Sequence, residues 1–334
     1  MLSYRHGFHA GNHADVLKHA VAVFLVRYLQ QKPGGVLFVD THAGAGLYDL
    51  AAPMAAKTAE WEEGVARVLD VAASGVSAAP PPHPPRRGSD GSPPSPPPPG
   101  GEGELGGSPP SSLSAPGDGE GRGEVGDRPV PALVADWLAL VRARNPGGAL
   151  TVYPGSAALF AALRRKQDRV ALYDLHPTDH AALAALMRRE SRVAVTKADG
   201  FAALDALLPP PERRALVLVD PSYEIKSDYE AAVAALAGAC RRFPTGVYAL
   251  WLPVIERART EAATRAVAAT GLRKVFRLDL CVVPDGAQRG LTGSRLLVVN
   301  PPWTLPDAAA EALPWLARAL GARGPVDSGW LVPE

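Results

Sequence analysis

The sequence predicts an α/β protein built on a doubly wound, mostly parallel sheet. Short, unbroken apolar runs recur along the chain, as at residues 216–219, and such runs are typical of strands covered on both faces. Segments with helical patterning separate the runs, and repeated βα alternation with right-handed crossovers produces a parallel sheet. Several runs end at an acidic residue, which places carboxylates at the edge of the sheet where such folds bind ligands.

The chain begins with a helix and a strand. Asn12 is a suitable N-cap for a helix that ends before Pro33. Residues 36–40 have the pattern of a buried strand, and the small, glycine-rich loop 41–46 follows. Helical patterning resumes over residues 58–71.

Residues 74–129 differ sharply in composition from the rest of the chain. They are rich in Pro, Gly and Ser and have almost no large apolar side chains, so we expect this segment to be disordered. Lengthening a surface loop costs only about 0.6 kcal/mol per doubling, which a fold can tolerate. A proline-rich ligand for a partner domain is the alternative to a plain linker.

After this insertion, helices and strands alternate to the end of the chain. The predicted helices cover residues 132–144, 178–189, 200 onward, 228–243 and 256–269, and the predicted strands cover 170–174, 193–195, 216–219, 246–252, 273–282 and 294–299. The last predicted strand ends at Asn300-Pro301-Pro302-Trp303, which we interpret as a structural turn.

The composition excludes several classes of protein. The 334 residues, 47% hydrophobic and 21% charged, are typical of a soluble globular protein, and no apolar run is long enough to span a bilayer. We expect a cytoplasmic protein, because the start of the chain has no signal-peptide core and the two cysteines form no disulfide framework. A net charge of +1 permits RNA binding without demanding it.

Acidic residues at the predicted strand ends define a candidate site. The first, second and fourth core strands end at Asp40, Asp174 and Asp220, and Asp199 follows the third. In a doubly wound sheet the first and fourth strands are neighbours across the topological switch point. A cofactor over the first three strand ends therefore faces Asp220.

The residues at these ends favour a nucleoside cofactor. The loop Gly44-Ala45-Gly46 matches neither the dinucleotide fingerprint nor a phosphate loop, and taken alone it fits a simple turn equally well. Asp174 suits two ribose hydroxyls, whereas a bound phosphate would favour donors there. The cofactor that fits best is S-adenosylmethionine, with Asp199 and the backbone at Gly200 close to its adenine.

The tetrapeptide Asp220-Pro221-Ser222-Tyr223 then suggests a clamp for a planar amine, although alone it is more often a strand end and a turn. Two acceptors, the Asp220 carboxylate and the Pro221 carbonyl, would favour the tetrahedral amine nitrogen that attacks a sulfonium methyl. Positioning is the main contribution to such a displacement, and Asp220 or water takes the proton afterwards. We expect Tyr223 to stack on the target base, which is worth about 1–3 kcal/mol.

Half of the eight histidines lie within the first 19 residues. A metal site is one interpretation, but no i, i+4 pair with a flanking acid matches a metal-binding helix, and we expect no metal. The preferred interpretation is a polar, partly cationic lip over the pocket, formed by Tyr4, Arg5, His6 and Lys18 and contacting substrate or cofactor.

Five segments carry a resemblance to a known family: YRHGFHAGNHADVLKH (4–19), DTHAGAG (40–46), YPGS (153–156), KADGF (197–201) and YALW (248–251). The chain resembles the RlmJ family, adenine-N6 methyltransferases of large-subunit ribosomal RNA, outside the insertion. The resemblance implies a Rossmann-like methyltransferase sheet with a small helical subdomain inserted after the first strand. The implied domains are residues 1–50, with the N-terminal motif and first strand; 51–152, the helical subdomain interrupted at 74–129; and 153–334, the rest of the core.

The resemblance also implies roles for individual residues. Its cofactor contacts correspond to His19, His42, Ser156, Asp174, Asp199 and Gly200, with Lys18 nearby. Asp220 corresponds to the catalytic acid, and Tyr4 to a substrate contact. The implied reaction is transfer of a methyl group from S-adenosylmethionine to N6 of an adenosine in 23S rRNA, on unassembled or protein-free rRNA. We expect the protein to be a monomer.

Two departures from the family pattern leave alternatives open. Ser222 replaces the second proline of the usual Asp-Pro-Pro-Tyr, and Asp174 stands where the family usually has Glu. Ser222 loosens a rigid turn, which affects rate more than identity. The alternatives are methylation of DNA adenine N6 or of a glutamine amide, each a planar NH2, and a catalytically weakened RNA-binding relative.

Overall fold

The computed structural model describes residues 5–74, 129–286 and 290–334. The described strands are β1 Leu37–Asp40, β2 Leu47–Asp49, β3 Val152–Pro154, β4 Arg169–Tyr173, β5 Val193–Thr196, β6 Ala215–Val219, β7 Val247–Val254, β8 Val275–Cys281, β9 Gly293–Val299 and β10 Val326–Val332. The α-helices are α1 His13–Leu29, α2 Pro53–Thr58, α3 Arg67–Ser74, α4 Ala132–Ala143, α5 Ser156–Leu163, α6 Pro177–Met187, α7 Gly200–Leu207, α8 Ser227–Arg242, α9 Arg257–Ala269 and α10 Leu305–Ala319. A 3-10 turn at His6–Phe8 precedes α1, and a π-helical segment at Glu62–Ala66 precedes α3.

Eight strands form one mixed sheet in the order β10-β8-β9-β7-β6-β1-β4-β5. The five strands from β7 to β5 are parallel, and β9, β8 and β10 continue the sheet with antiparallel pairing. Strand β1 pairs with both β4 and β6, so the strand order reverses beside β1. The predicted doubly wound α/β fold, with its first and fourth core strands adjacent, is confirmed.

The sequence prediction was incomplete at several elements. The strand at 294–299 is not the last, because β10 follows it and pairs with β8. β10 is a half-exposed edge strand without a continuous apolar run, so it lacks the pattern of a buried strand. Helix α5 was also missed, because its sequence SAALFAAL is nearly all apolar and has no helical periodicity.

Helices α2, α3 and α4 and the short β2–β3 hairpin lie between β1 and β4 in the chain. Helices α3 and α4 pack against α10, and α4 also packs against α1. Residues 75–128, nearly all of the segment predicted to be disordered, lie outside the described residues. The domain division at residues 50 and 152 stays a prediction.

Helix α1 brings polar residues into the interior. The Asn12 side-chain oxygen caps it by accepting from the backbone N–H groups of Ala14 and Asp15 at 3.0 and 3.1 Å, as predicted. The helix is covered by α4, α5 and the sheet, and 13 of its 17 residues are buried. Asp15 and Lys18 are among them, and buried charges need paired partners.

Candidate active site

A cavity of about 480 Å³ lies at the carboxyl ends of β1, β4 and β6. This volume is within the usual range for small-molecule sites. The cavity is lined by predicted site residues from every part of the chain: His6, Lys18, His19, His42, Ser156, Asp174, Asp199, Asp220 and Pro221. Tyr223, Gly200 and Arg5 are not in this lining, and Tyr4 lies outside the described residues.

A largely buried chain of charges connects α1 to the end of β6. Lys18 Nζ lies 2.5 Å from Asp220 Oδ2 and 3.0 Å from Asp15 Oδ1. Asp15 also accepts from His6 Nε2 and from the Gly11 backbone N–H, each at 2.9 Å. Lys18 is only 2% exposed, so the structure places it at the wall of the cavity rather than on an outer lip.

Burial and neighbouring charges set the ionisation of these acids. Burial raises the pKa of Asp220, and the Lys18 ammonium opposes that shift. Burial also raises the pKa of Asp40, to about 7, with a further contribution from the Asp220 charge and an opposing hydrogen bond from Ser156. Asp15 behaves differently: burial acts to raise its pKa, but the charges of His6 and Lys18 hold that pKa well below the ordinary value.

The glycine-rich loop and Asp174 hold each other in place. The Gly44 N–H donates to Asp174 Oδ2 at 2.9 Å, and the His176 N–H donates to Asp174 Oδ1 at 2.7 Å. Gly44 has φ +58°, and a Cβ there would lie 2.2 Å from the Tyr48 hydroxyl. Glycine is therefore required at this turn. The carboxylate keeps further lone pairs for hydroxyl donors.

Asp199 and Gly200 form the start of α7. Asp199 Oδ1 accepts from the Phe201 N–H at 2.8 Å, so the acid is also the N-cap of the helix. A Cβ on Gly200 would lie 2.1 Å from the Thr41 carbonyl oxygen, which allows only glycine at this contact with the first loop. Phe201 packs edge-on against His42, with ring centroids 4.8 Å apart.

Two further predicted cofactor residues line the cavity and are buried. His19 is 1% exposed, and a hydrogen bond of 2.7 Å joins its Nδ1 to the Tyr153 hydroxyl. Burial lowers the pKa of His19 to about 3, so the ring is neutral near pH 7. Ser156 begins α5 and is 6% exposed.

The Asp220–Tyr223 loop follows β6 directly and has no regular secondary structure. Pro221 and Ser222 line the cavity, whereas the Tyr223 ring is buried beside Tyr229 and Trp251. The Tyr223 hydroxyl donates to the Trp251 carbonyl. Tyr223 has φ +55°, a left-handed conformation that costs a side chain about 1–3 kcal/mol and occurs often at functional sites. Stacking of Tyr223 on a target base stays a prediction.

The N-terminal residues divide between two places. Arg5 pairs with Asp179 at 3.0 Å and lines a smaller cavity of about 100 Å³, while His6 faces the main cavity. Within residues 5–74, 129–286 and 290–334, no group of three or more His, Cys, Asp or Glu side chains is arranged to hold a metal ion. Over the same ranges, no helix has the length and apolar character needed to cross a membrane.

The motif Asn300-Pro301-Pro302-Trp303 lies at the opposite edge of the sheet, because β9 runs antiparallel to β7. The Asn300 side-chain amide donates to the carbonyls of Pro244 and Gly246 at 2.8 and 2.7 Å. These bonds tie it to the start of β7, in agreement with the interpretation as a structural turn.

Three residues of the site had no assigned role in the sequence interpretation: Asp15, Tyr153 and Trp251. Asp15 joins His6 to Lys18. The Trp251 ring lies 5.1 Å from Lys18 Nζ, close enough for a cation–π contact. The available signal for Asp15 was the pair of charged residues Asp15 and Lys18, three positions apart in a largely apolar helix.

The mostly parallel sheet, with acidic residues lining a cavity at its switch point, is the architecture of Rossmann-like proteins, a class that includes many methyltransferases. The family model described as "Ribosomal RNA large subunit methyltransferase D, RlmJ" matches residues 33–76 and 123–332, and the chain belongs to this family.

Full-length relatives agree with this assignment. The chain is 37% identical over 336 residues to ribosomal RNA large subunit methyltransferase J of Escherichia coli (strain K12), and 36% identical over 337 residues to the protein of that name in Haemophilus influenzae; both alignments cover 100% of each chain. A solved structure from Legionella pneumophila, assigned to DUF519, is similar with a TM-score of 0.72, 30% identity and 96% coverage of both chains.

Proposed function

We propose that this protein is an S-adenosylmethionine-dependent methyltransferase that modifies the exocyclic N6 amine of an adenosine in 23S rRNA. The observation that carries the proposal is that Asp220 and Asp174 line one cavity from opposite sides of the β1 switch point. This arrangement provides a place for a nucleoside cofactor beside an acceptor for amine protons. The named activity of the relatives supplies the substrate class.

The residues fit the cofactor on several counts. Two backbone N–H groups orient the Asp174 carboxylate, which leaves it able to accept from a ribose diol. His42, Ser156 and Asp199 line the same cavity as Asp174, so polar side chains surround the place where the nucleoside would lie. S-Adenosylmethionine, when bound, supplies the electrophilic methyl group.

Asp220 and Pro221 are placed to hold the acceptor. The Asp220 carboxylate and the Pro221 carbonyl each accept an N–H of the amine, which localises the nitrogen lone pair toward the methyl group. Lys18, at 2.5 Å, favours the ionised carboxylate against the effect of burial. Asp220 or water accepts the proton after transfer.

The cavity also favours an accessible base. An adenine within a helix must leave the stack before its amine reaches Asp220. A target in a loop, in a bulge or in protein-free rRNA therefore requires less free energy for unstacking. We propose action as a monomer in the cytoplasm. Both cysteines are free and buried, which suits a reducing compartment.

The decisive experiment maps N6-methyladenosine in rRNA from cells with and without the gene. Loss of one modified adenosine, restored by the wild-type gene but not by Asp220→Ala, is the expected result. Purified protein is then given labelled cofactor with rRNA, adenine-containing DNA or a glutamine peptide. Label in DNA or peptide instead of rRNA, or rRNA modification undiminished by Asp220→Ala, would overturn the proposal. Cofactor binding without turnover on any RNA would favour the inactive RNA-binding relative.

A further inference from the structure

Large apolar side chains are exposed at five places in the described part of the chain: Leu175, Ile225, Ile255, Trp303 and Trp330. Two of these, Leu175 and Ile225, line the cavity. Leu175 follows Asp174 and lies on the proposed cofactor side. Ile225, 61% exposed, follows Asp220 by five residues and lies on the acceptor side. Single exposed isoleucines are common on surfaces, so the position beside the acceptor residue is the informative feature.

The loop that carries Ile225 is fixed on both sides. The Ile225 N–H donates to Asp228 Oδ2 at 3.4 Å, and the Ile225 carbonyl accepts from the Asp228 N–H at 3.0 Å. On the other side, Tyr223 is buried and bonded to the Trp251 carbonyl. Because these bonds already order the backbone around Ile225, little backbone conformational entropy is lost when a partner covers its side chain.

We propose that Ile225 is an apolar wedge that enters the RNA base stack when the target adenosine leaves it. This inference rests on the proposed function. Extrusion of a base toward Asp220 leaves a gap between its two neighbours. Proteins that distort nucleic-acid stacks insert aliphatic side chains such as leucine or isoleucine between adjacent bases. Ile225 lines the same cavity as Asp220 and is 61% exposed, so its side chain is open to RNA while the base occupies the cavity.

The test compares Ile225→Ala with a matched control, Ile255→Ala, in the full-length protein. Ile255 is 49% exposed and directly follows β7, at the same edge of the sheet, but it does not line the cavity. Two RNA hairpins carry the mapped target sequence, one with the adenosine paired in a stem and one with it unpaired in a bulge. Thermal unfolding of each variant checks that the fold is retained.

For Ile225→Ala, we expect the ratio of kcat/KM on the paired hairpin to kcat/KM on the unpaired hairpin to fall about tenfold, the loss expected when an aliphatic side chain that becomes buried against bases is truncated. For Ile255→Ala the ratio stays within about twofold of wild type. With 2-aminopurine at the target position of the paired hairpin, binding of the wild-type protein raises the fluorescence, and Ile225→Ala raises it less.

The wedge proposal would be refuted if Ile225→Ala left this ratio unchanged, either because kcat/KM changed on neither hairpin or because it fell equally on both. A wild-type protein that methylates only the unpaired target would refute it as well, because no base would then be extruded from a stem. A wild-type protein that binds the cofactor but methylates neither hairpin refutes the proposed function itself, and the wedge with it. Methylation of the unpaired hairpin by the wild-type protein therefore shows that the proposed function holds even when the wedge proposal fails.

Discussion

Replacement of Lys18 by methionine should destabilise the protein strongly at neutral pH. Methionine keeps an unbranched chain near Trp251 but removes the ammonium that lies between Asp15 and Asp220. Asp15 retains its bonds from His6 and the Gly11 N–H, so Asp220 is the carboxylate left without compensation. Breaking one buried pair costs about 3–5 kcal/mol, which lowers the Tm of a domain of this size by roughly 6–20 °C.

The stability lost in the Lys18→Met variant should be greater at high pH than at low pH. Without Lys18, burial raises the folded-state pKa of Asp220 further above its unfolded value. The destabilisation is therefore largest at and above neutral pH, and it shrinks as pH falls through the folded-state pKa and Asp220 takes a proton. Urea unfolding at pH 5 and pH 8 measures the difference, and adding Asp220→Asn to the Lys18→Met variant should recover much of the stability at pH 8.

A matched control is Arg27→Met, in the same helix. Arg27 pairs with Asp136 at 3.3 Å, but both side chains are about half exposed, so the loss should stay below about 1 kcal/mol. The argument from the buried charges would be refuted if Lys18→Met lost no more stability than Arg27→Met. A loss of stability that did not depend on pH would refute it as well.

Three further predictions concern the cavity walls. Gly200→Ala should lower the free energy of unfolding by about 1–3 kcal/mol in urea, because the added Cβ collides with the Thr41 carbonyl. The control Gly238→Ala, where no atom lies closer than 3.9 Å to the added Cβ, should be neutral or stabilising. Equal effects of the two substitutions would contradict the packing argument. The folded-state pKa of Asp40, about 7, exceeds its unfolded value, so the stability of the protein should fall as pH rises from about 4 to about 7. Asp40→Asn should flatten that decline in urea unfolding. Identical pH profiles for the variant and the wild type would refute a raised pKa of Asp40. Asp174→Ala should raise the Kd for S-adenosylmethionine about tenfold to hundredfold in calorimetry, and an unaltered affinity would remove Asp174 from the proposed ribose site.

The sequence predicted those parts of the fold that depend on local pattern. Strands β1, β4 and β6 are buried apolar runs, and the acids at their ends follow directly from strand direction. β10 and α5 were missed because an edge strand and a fully buried helix lack the periodicity that burial on one face produces.

The details of the site were less accessible to sequence. The Lys18–Asp220 pair joins residues 202 positions apart, and it depends on how α1 packs across the sheet. Tyr223 has a left-handed backbone and a ring buried beside Tyr229 and Trp251, and neither feature can be read from composition. Asp199 was expected near the cofactor adenine, and its second function as a helix cap became visible only from the position of α7.

The same 202-residue separation has a consequence for biosynthesis. Helix α1 leaves the ribosome long before β6 does, so Lys18 and Asp15 are made well before Asp220 exists. Until β6 is synthesised, Lys18 lacks the Asp220 carboxylate that it pairs with in the folded protein, and burying an ammonium without that partner is unfavourable. The acceptor acid therefore reaches its working environment only after about two thirds of the chain has been translated, and no N-terminal fragment ending before β6 can carry the activity.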